Sequence, residues 1–338
     1  MAVTITDIYN DIASDRSRRI AVTSGSSLAD IIAAIETVLT TAPGGWSIHD
    51  AAAGTNAKCY KSLQKDGTSY TYMVLDWNTT ISTGVTGLIV RLYEDWNATT
   101  HTGTNKAENA KDRSGATISE YLQGQRLPYG ETDPWQLDVH VLPGGAAFHS
   151  SREVAQVSAN AAFLGSPTYG GVTVVGECLR ENSLTLPPGV PCAIWTNSGK
   201  LGNHTSGGLS GCPFSVCRAF DGRNAYLYGG QIYPGLCAVD YMSAFGYVDD
   251  SRRRASGAGG RIYISQIVLL LGNSGTASAG YAELGAIRGV ACVGQGNAHN
   301  SVWEVACDID YLPAAGGTNR KFRCYVGSGG PMCLLLPV

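Results

Sequence analysis

Charge is what this 338-residue chain has least of. Charged residues are 15% of it, where about 25% is typical. A protein whose whole surface meets water carries more, so the shortage implies a surface covered in large part by partners. The net charge is −3, which excludes a strong bulk attraction to nucleic acid or to an anionic membrane. The balance is uneven. Residues 1–150 hold 11 basic and 16 acidic groups, and residues 151–338 hold 13 and 11. Long apolar runs are also missing. The longest, residues 262–271, is interrupted by polar residues and too short to span a bilayer. The opening segment MAVTITDIYNDIASDRSRR has no apolar h-region and no cleavage motif. It is therefore not expected to be a secretory signal, and synthesis is expected in the cytoplasm.

The motifs of common chemistries are absent as well. There is no GxxxxGK[ST], no GxGxxG after a strand and no EF-hand loop, so no cofactor is expected. VGSGGPMC at 326–333 echoes the end of a serine-protease motif but lacks its aspartate, and no histidine has the expected upstream context. SGGLSGC and LGNSGT are not nucleophile elbows. Glycine-rich turns account for all three. None of the six histidines is paired at a metal-ligand spacing. His140 falls on the polar face of an alternating segment, which reads as a surface or interface position. Glu94–Asp95 and Asp249–Asp250 are adjacent pairs, whose members point to opposite faces of a strand. Asp308 and Asp310 share a face, but one such pair is commonplace. The expectation is a protein that is not an enzyme.

What is present is β-sheet punctuated by turns. One helix stands out, in SSLADIIAAIETVLTT. Ser27 caps it, Asp30 sits at the capping-box spacing, and Leu28, Ile31, Ile32, Ile35, Val38 and Leu39 share a face. APGG at 42–45 ends it. After Trp46 the pattern turns to strands: AKCYKSLQ and SYTYMVLDW around the turn Lys65-Asp66-Gly67, then VTGLIVRLYEDW. The polar segment 97–116 reads as a loop, and PWQLDVHVL as the next strand. Further candidate strands are GGVTVVGECL, PCAIWTN, AYLYGGQIY, RIYISQIVLLL, VWEVACDIDYL and KFRCYV. The expected fold class is mainly β: an N-terminal arm and one amphipathic helix, followed by two antiparallel, sandwich-like β domains. The expected divisions are an arm at 1–22, a helix-plus-meander domain at 23–158 and a cysteine-rich β domain at 159–338.

Nine of the ten cysteines lie between 178 and 333. Two readings stay open. Made in a reducing cytosol, they are buried thiols acting as small apolar side chains. In a protein later released into oxidising medium, some pair. The candidate pairs are Cys178 with Cys192, Cys212 with Cys217, and Cys324 with Cys333, each flanking a loop with glycine or proline. Cys59, alone in the first half, is expected to be a buried thiol. A metal site is disfavoured, because Cys212 and Cys217 have no second pair or clustered histidine beside them. Arg252, Arg253 and Arg254 lie in a glycine-rich segment, either solvated or contacting a neighbouring subunit.

The order of an amphipathic helix, GGWSIHD, a meander with a KDG turn and then RLYEDWNATTHTGTN resembles virion structural proteins of tailed bacteriophages. The matching residues are Trp46, His49, Asp50, Asp66, Gly67, Tyr93, Glu94, Trp96, Asn97, Thr100, His101, Gly103 and Asn105. GGVTVVGECLREN, LGAIRGVACVGQGN, VWEVACDIDYLPA and KFRCYV resemble later strands of the same group. The resemblance implies a structural subunit of the tail, neck, baseplate or capsid decoration, without active-site residues. Its partners would be copies of itself and other virion proteins, and its location the virion. Tyr93 and Trp96 are then core or interface anchors, and the loop bearing His101 meets a neighbour. The alternative is a carbohydrate- or receptor-binding β module, with Trp96, Trp135 and Trp195 exposed to stack on sugars.

Overall fold

The computed structural model describes residues 17–22, 27–41, 44–82, 85–107, 125–127, 135–142, 144–152, 172–179, 189–195, 214–217, 225–226, 264–271, 282–294, 307–311, 320–325 and 332–337. Within these the chain is mainly β, with one helix near the N-terminus and only antiparallel strand pairs. The helix, α1 (Leu28–Thr40), starts as its sequence dictates. The Ser27 side chain accepts from the Asp30 N–H at 3.1 Å, and the Asp30 carboxylate accepts from the Ser27 N–H at 3.3 Å. Two otherwise unmet donors of the first turn are thereby satisfied. Gly44 follows the helix end so closely that a β-carbon would strike the Leu39 carbonyl, which only glycine avoids.

Ile31, Ile32, Ile35 and Leu39 bury the apolar stripe of α1, each contributing about 1.5–3 kcal/mol. The polar side of α1 is fastened too. Glu36 accepts from Lys58 Nζ at 2.6 Å and from the Tyr60 hydroxyl at 3.1 Å.

The smaller sheet is the expected meander: β2 (Trp46–Gly54), β3 (Ala57–Leu63), β4 (Tyr70–Ser82), β5 (Val85–Asn97) and β6 (Thr102–Lys106) pair in that order. A two-residue strand, β7 (Gln125–Arg126), joins β5 at Gly87 and Leu88. The β3–β4 turn is built by Asp66. Its carboxylate accepts from the N–H groups of Thr68 and Ser69 at 2.8 Å, and Gly67 takes the left-handed conformation. β6 corrects the expectation of a loop over 97–116. It pairs with β5 from Tyr93↔Lys106 to Asn97↔Thr102. Its residues are polar on both faces, so no alternation announces it.

The larger sheet begins with β1 (Ser17–Val22), which lies within the expected N-terminal arm. It pairs along its length with β8 (Trp135–Leu142) of its own chain. β8 pairs with β9 (Gly145–Arg152), and β9 with β10 (Val172–Leu179). β10 also pairs with β11 (Gly189–Trp195) and with β15 (Ala282–Gly294). Beyond these come β12 (Phe214–Val216), β13 (Ala225–Tyr226), β14 (Ile264–Leu271), β16 (Cys307–Tyr311), β17 (Arg320–Tyr325) and β18 (Met332–Pro337). The β9–β10 pairing runs across the expected division at residue 158, so the sheet is continuous there.

A single core cluster joins α1, the inner face of the smaller sheet (Tyr60, Met73, Leu75, Leu88, Val90, Leu92) and the larger sheet (Leu137, Val139, Phe148, Val174, Val190). Polar contacts also hold the sheets together. Trp46 Nε1 donates to the Gly145 carbonyl at 2.9 Å, and the Gln125 amide donates to Thr173 Oγ1 at 2.8 Å. The Lys65 N–H donates to the Glu177 carboxylate, 3.1 Å from Oε2. Arg288 reaches the same oxygen at 3.2 Å.

His140, expected at a surface or interface, is 3% exposed within its own chain, because the second face of β8 is covered as well. The cysteines are corrected in part. Cys178, Cys192 and Cys217 are buried free thiols, as Cys59 is expected to be and is. Cys178 faces Val190 and Cys192 faces Gly176, so the two are two residues out of register. Directly opposed β-carbons would be needed for a bridge. Burial raises the Cys192 thiol well above its ordinary pKa, with the neighbouring thiols and Glu177 adding to it. Such a group is poorly ionised and inert. Cys212 lies outside the described residues. Cys324 sits opposite Leu335, two residues from Cys333, while the register sets it directly opposite Cys307.

Candidate functional site

The outer face of the smaller sheet carries a second, small cluster: Ala57, Cys59, Val74 and Trp96, with Ala53, Tyr72, Tyr93 and Ala98 against it. Above it the sheet meets the β5–β6 turn, the stretch WNATTHTG. Asn97 shapes that turn by accepting from the N–H groups of Thr99 and Thr100 at 2.8 and 3.1 Å. His101 closes it with φ of 55°, a left-handed conformation that costs a β-carbon-bearing residue energy. Gly103 follows because the Tyr93 ring occupies the space of any β-carbon there.

Asp50 holds the arrangement together. Its Oδ2 accepts from Trp96 Nε1 at 2.9 Å and lies 2.8 Å from His101 Nδ1, while Oδ1 accepts from the Ala52 N–H at 2.9 Å. Two register shifts in β2, between Ile48 and Asp50 and between Asp50 and Gly54, bring this about. Trp46 belongs to the main core, whereas Asp50, four residues on, bonds Trp96 of the outer cluster. An even spacing in an unbroken strand keeps one face, and a bulge changes it. Burial, with Asp50 5% exposed, would raise its pKa. The hydrogen bonds from His101, Trp96 and Ala52 outweigh that and hold the carboxyl below its ordinary value.

Beside this network lies an open cleft of about 450 Å³, whose lining includes Asn56, Asp76, Trp77, Arg91, Tyr93 and His101. Arg91 Nη1 pairs with Asp76 Oδ2 at 2.8 Å. Tyr93 meets Trp96 edge to face, with centroids 5.1 Å apart. His49 contacts the Tyr72 ring and the Trp96 carbonyl. A histidine oriented through Nδ1 by a buried carboxylate is the supporting half of a nucleophile-activating system. Here that carboxylate also holds an indole, and among the described residues the cleft lining has the hydroxyls of Thr55 and Tyr93 but no serine or cysteine. The arrangement fixes a loop and offers hydrogen-bonding groups beside aromatic surface.

The structure thus brings Tyr93, Trp96 and His101 to one place. Trp96 is 7% exposed and serves the outer cluster, so it is not a ring open to stacking. The side chains of Trp135 and Trp195, and Arg252, Arg253 and Arg254, lie outside the described residues. Sequence reasoning missed Asp50 as the hub and the Arg91–Asp76 pair. The only signal was the HD dipeptide after GGWSI. Among the described residues no group of three His, Cys, Asp or Glu is placed to hold a metal, and no helix is long and apolar enough to cross a membrane.

Replacing Asp50 with alanine leaves Trp96 Nε1 buried without its acceptor, and we expect a loss of about 1–3 kcal/mol in urea unfolding near neutral pH. The sign with pH follows from the lowered pKa. Asp50 stabilises above the ordinary carboxylate range, and this contribution fades as pH falls through its depressed folded value. The gap between wild type and Asp50→Ala should therefore close in acid. A gap that stays constant with pH would show that the charge of Asp50 is immaterial. No protein-family model matches this chain, and no curated protein matches it.

Proposed function

We propose that this protein is a structural subunit of a tailed-phage virion, in the tail, neck, baseplate or capsid decoration, acting through contacts with its own copies and with other virion proteins. The observation that carries the reading is the edge strand β6. Among the described residues β6 pairs only with β5. Thr102, Thr104 and Asn105 are exposed, and the turn before them is held by Asp50 and His101. A stiffened open edge is suited to adding a strand from a neighbour. The low charge of the chain and its resemblance to phage virion proteins support the same conclusion.

The ladder itself supplies a clean test. The Ala107 N–H donates to the Leu92 carbonyl in the β5–β6 register. Asn105 is left-handed, at φ 49°, and interrupts the alternation there, while the Thr104 side chain on the same strand is exposed. Thr104→Lys places a charge on this edge, which opposes strand addition, and removes no backbone donor. Wild-type protein is expected to form discrete multimers in light scattering and electron microscopy, and Thr104→Lys to shift them toward monomer with unchanged circular dichroism. A wild type that stays monomeric at high concentration, or a variant that assembles equally well, would count against the edge as the contact.

The alternative, a sugar-binding module resting on Trp96, Trp135 and Trp195, loses the first of its rings to the outer cluster.

A further inference from the structure

We infer that the cleft on the outer face of the smaller sheet binds a small neutral saccharide, a function independent of the virion reading. The volume, about 450 Å³, falls within the roughly 300–1,000 Å³ of small-molecule sites, and suits one or two sugar rings. The chemistry of the lining narrows the ligand further.

Among the described residues, the charged groups lining the cleft already have partners. Arg91 is paired with Asp76 at 2.8 Å, and His101 lies 2.8 Å from the buried Asp50 carboxylate. An anionic ligand would have to compete with Asp76 for the guanidinium, and a cation would have to compete with Arg91 for the carboxylate. A neutral polyol need displace neither. The Arg91–Asp76 pair sets donors beside acceptors, and vicinal hydroxyls, each both donor and acceptor, match that alternation. Both members are partly exposed, at 22% and 26% of the side chain, so they are reachable from solvent. His101, 45% exposed, has Nδ1 committed to Asp50, leaving Nε2 as its second hydrogen-bonding atom. Asn56 adds an amide.

Tyr93, whose ring lies in the outer cluster, supplies the apolar half. Aromatic rings with polar edges suit ligands that have one C–H face and a rim of hydroxyls. The framework is stiff. Gly103 admits the Tyr93 ring, the left-handed turn at His101 is held by Asp50, and Trp77 packs against the main core. Stiff lining groups lose little freedom when a ligand arrives.

The test uses the full-length protein and saturation-transfer NMR with D-glucose, D-galactose, D-mannose and N-acetyl-D-glucosamine, with D-glucuronate and inorganic phosphate as charged controls. At least one neutral sugar should bind. Asp76→Asn keeps the shape but breaks the alternation of donors and acceptors, and should weaken binding about tenfold, the equivalent of about 1.4 kcal/mol. Thr55→Trp, at an exposed turn residue on the cleft lining, should block binding while leaving circular dichroism and thermal unfolding unchanged. The inference is overturned if none of the four sugars binds, if Thr55→Trp binds them as wild type does, or if glucuronate or phosphate binds more tightly than every neutral sugar.

Discussion

Glu177→Ala should destabilise the protein by about 3–5 kcal/mol in urea unfolding, the range for breaking a buried ion pair by removing one partner. Glu177 is fully buried on β10. It accepts from the Lys65 N–H of the smaller sheet and from Arg288 on β15, whose side chain is 15% exposed. Alanine would remove the carboxylate that the largely buried guanidinium pairs with and that accepts from a turn N–H, at the junction of the sheets. Glu177→Gln retains the shape and an acceptor, and should cost less. The double variant Glu177→Met with Arg288→Met should recover most of the loss, because two apolar groups need no counter-charge. Unfolding free energies equal to the wild type's for all three variants would mean that the pair contributes nothing.

The pH dependence has a definite sign. Burial raises the Glu177 pKa, against the opposing effects of Arg288 and the Lys65 N–H. The native state thus binds the proton more tightly than the unfolded chain does. The part of the stability that comes from this tighter proton binding is full below the unfolded value and is lost as pH rises through the raised native one. Wild-type stability should therefore carry a falling component from the ordinary carboxylate range upward, and Glu177→Gln should lack it. Asp50 has the opposite sign, so the two variants separate the two effects.

Phe148→Ala should cost about 3–5 kcal/mol, the usual range for deleting a fully buried aromatic ring. Phe148 is 0% exposed on β9, opposite Val139 of β8 and Thr173 of β10. Its ring belongs to the core that joins both sheets and α1. A shared core predicts a shared transition. The variant should unfold at lower urea in one step, with fluorescence and circular dichroism changing together. If only part of the signal moves while the remainder unfolds at the wild-type midpoint, the two sheets have separate cores.

The local elements were determined by the sequence itself. Ser27 and Asp30 cap α1, its apolar residues recur at helical spacing, and Asp66-Gly67 shapes a turn whose neighbours alternate. Interactions between residues a few positions apart set these features, so a short window contains the cause. Cys59 as a buried thiol was legible more simply, since it lies in a strand far along the chain from every other cysteine.

The tertiary structure decided whatever depends on distant residues or on a departure from period. β6 is polar on both sides, and only its ladder with β5 makes it a strand. β1 lies in a segment with no period of its own and is a strand through β8. The bulges in β2 move Asp50 to the face opposite Trp46, which no alternating pattern foretells. His140 reads as polar-faced but is buried, because alternation tells which residues share a face and not whether that face meets water. Glu177 looked like one more acid in a strand. Its role depends on Lys65 and Arg288, more than a hundred residues away along the chain in either direction. Cysteine pairing turned on register, a two-residue offset that loop length does not encode. Contacts of this range are set by how whole sheets pack, and a sequence window carries no record of what it will be packed against.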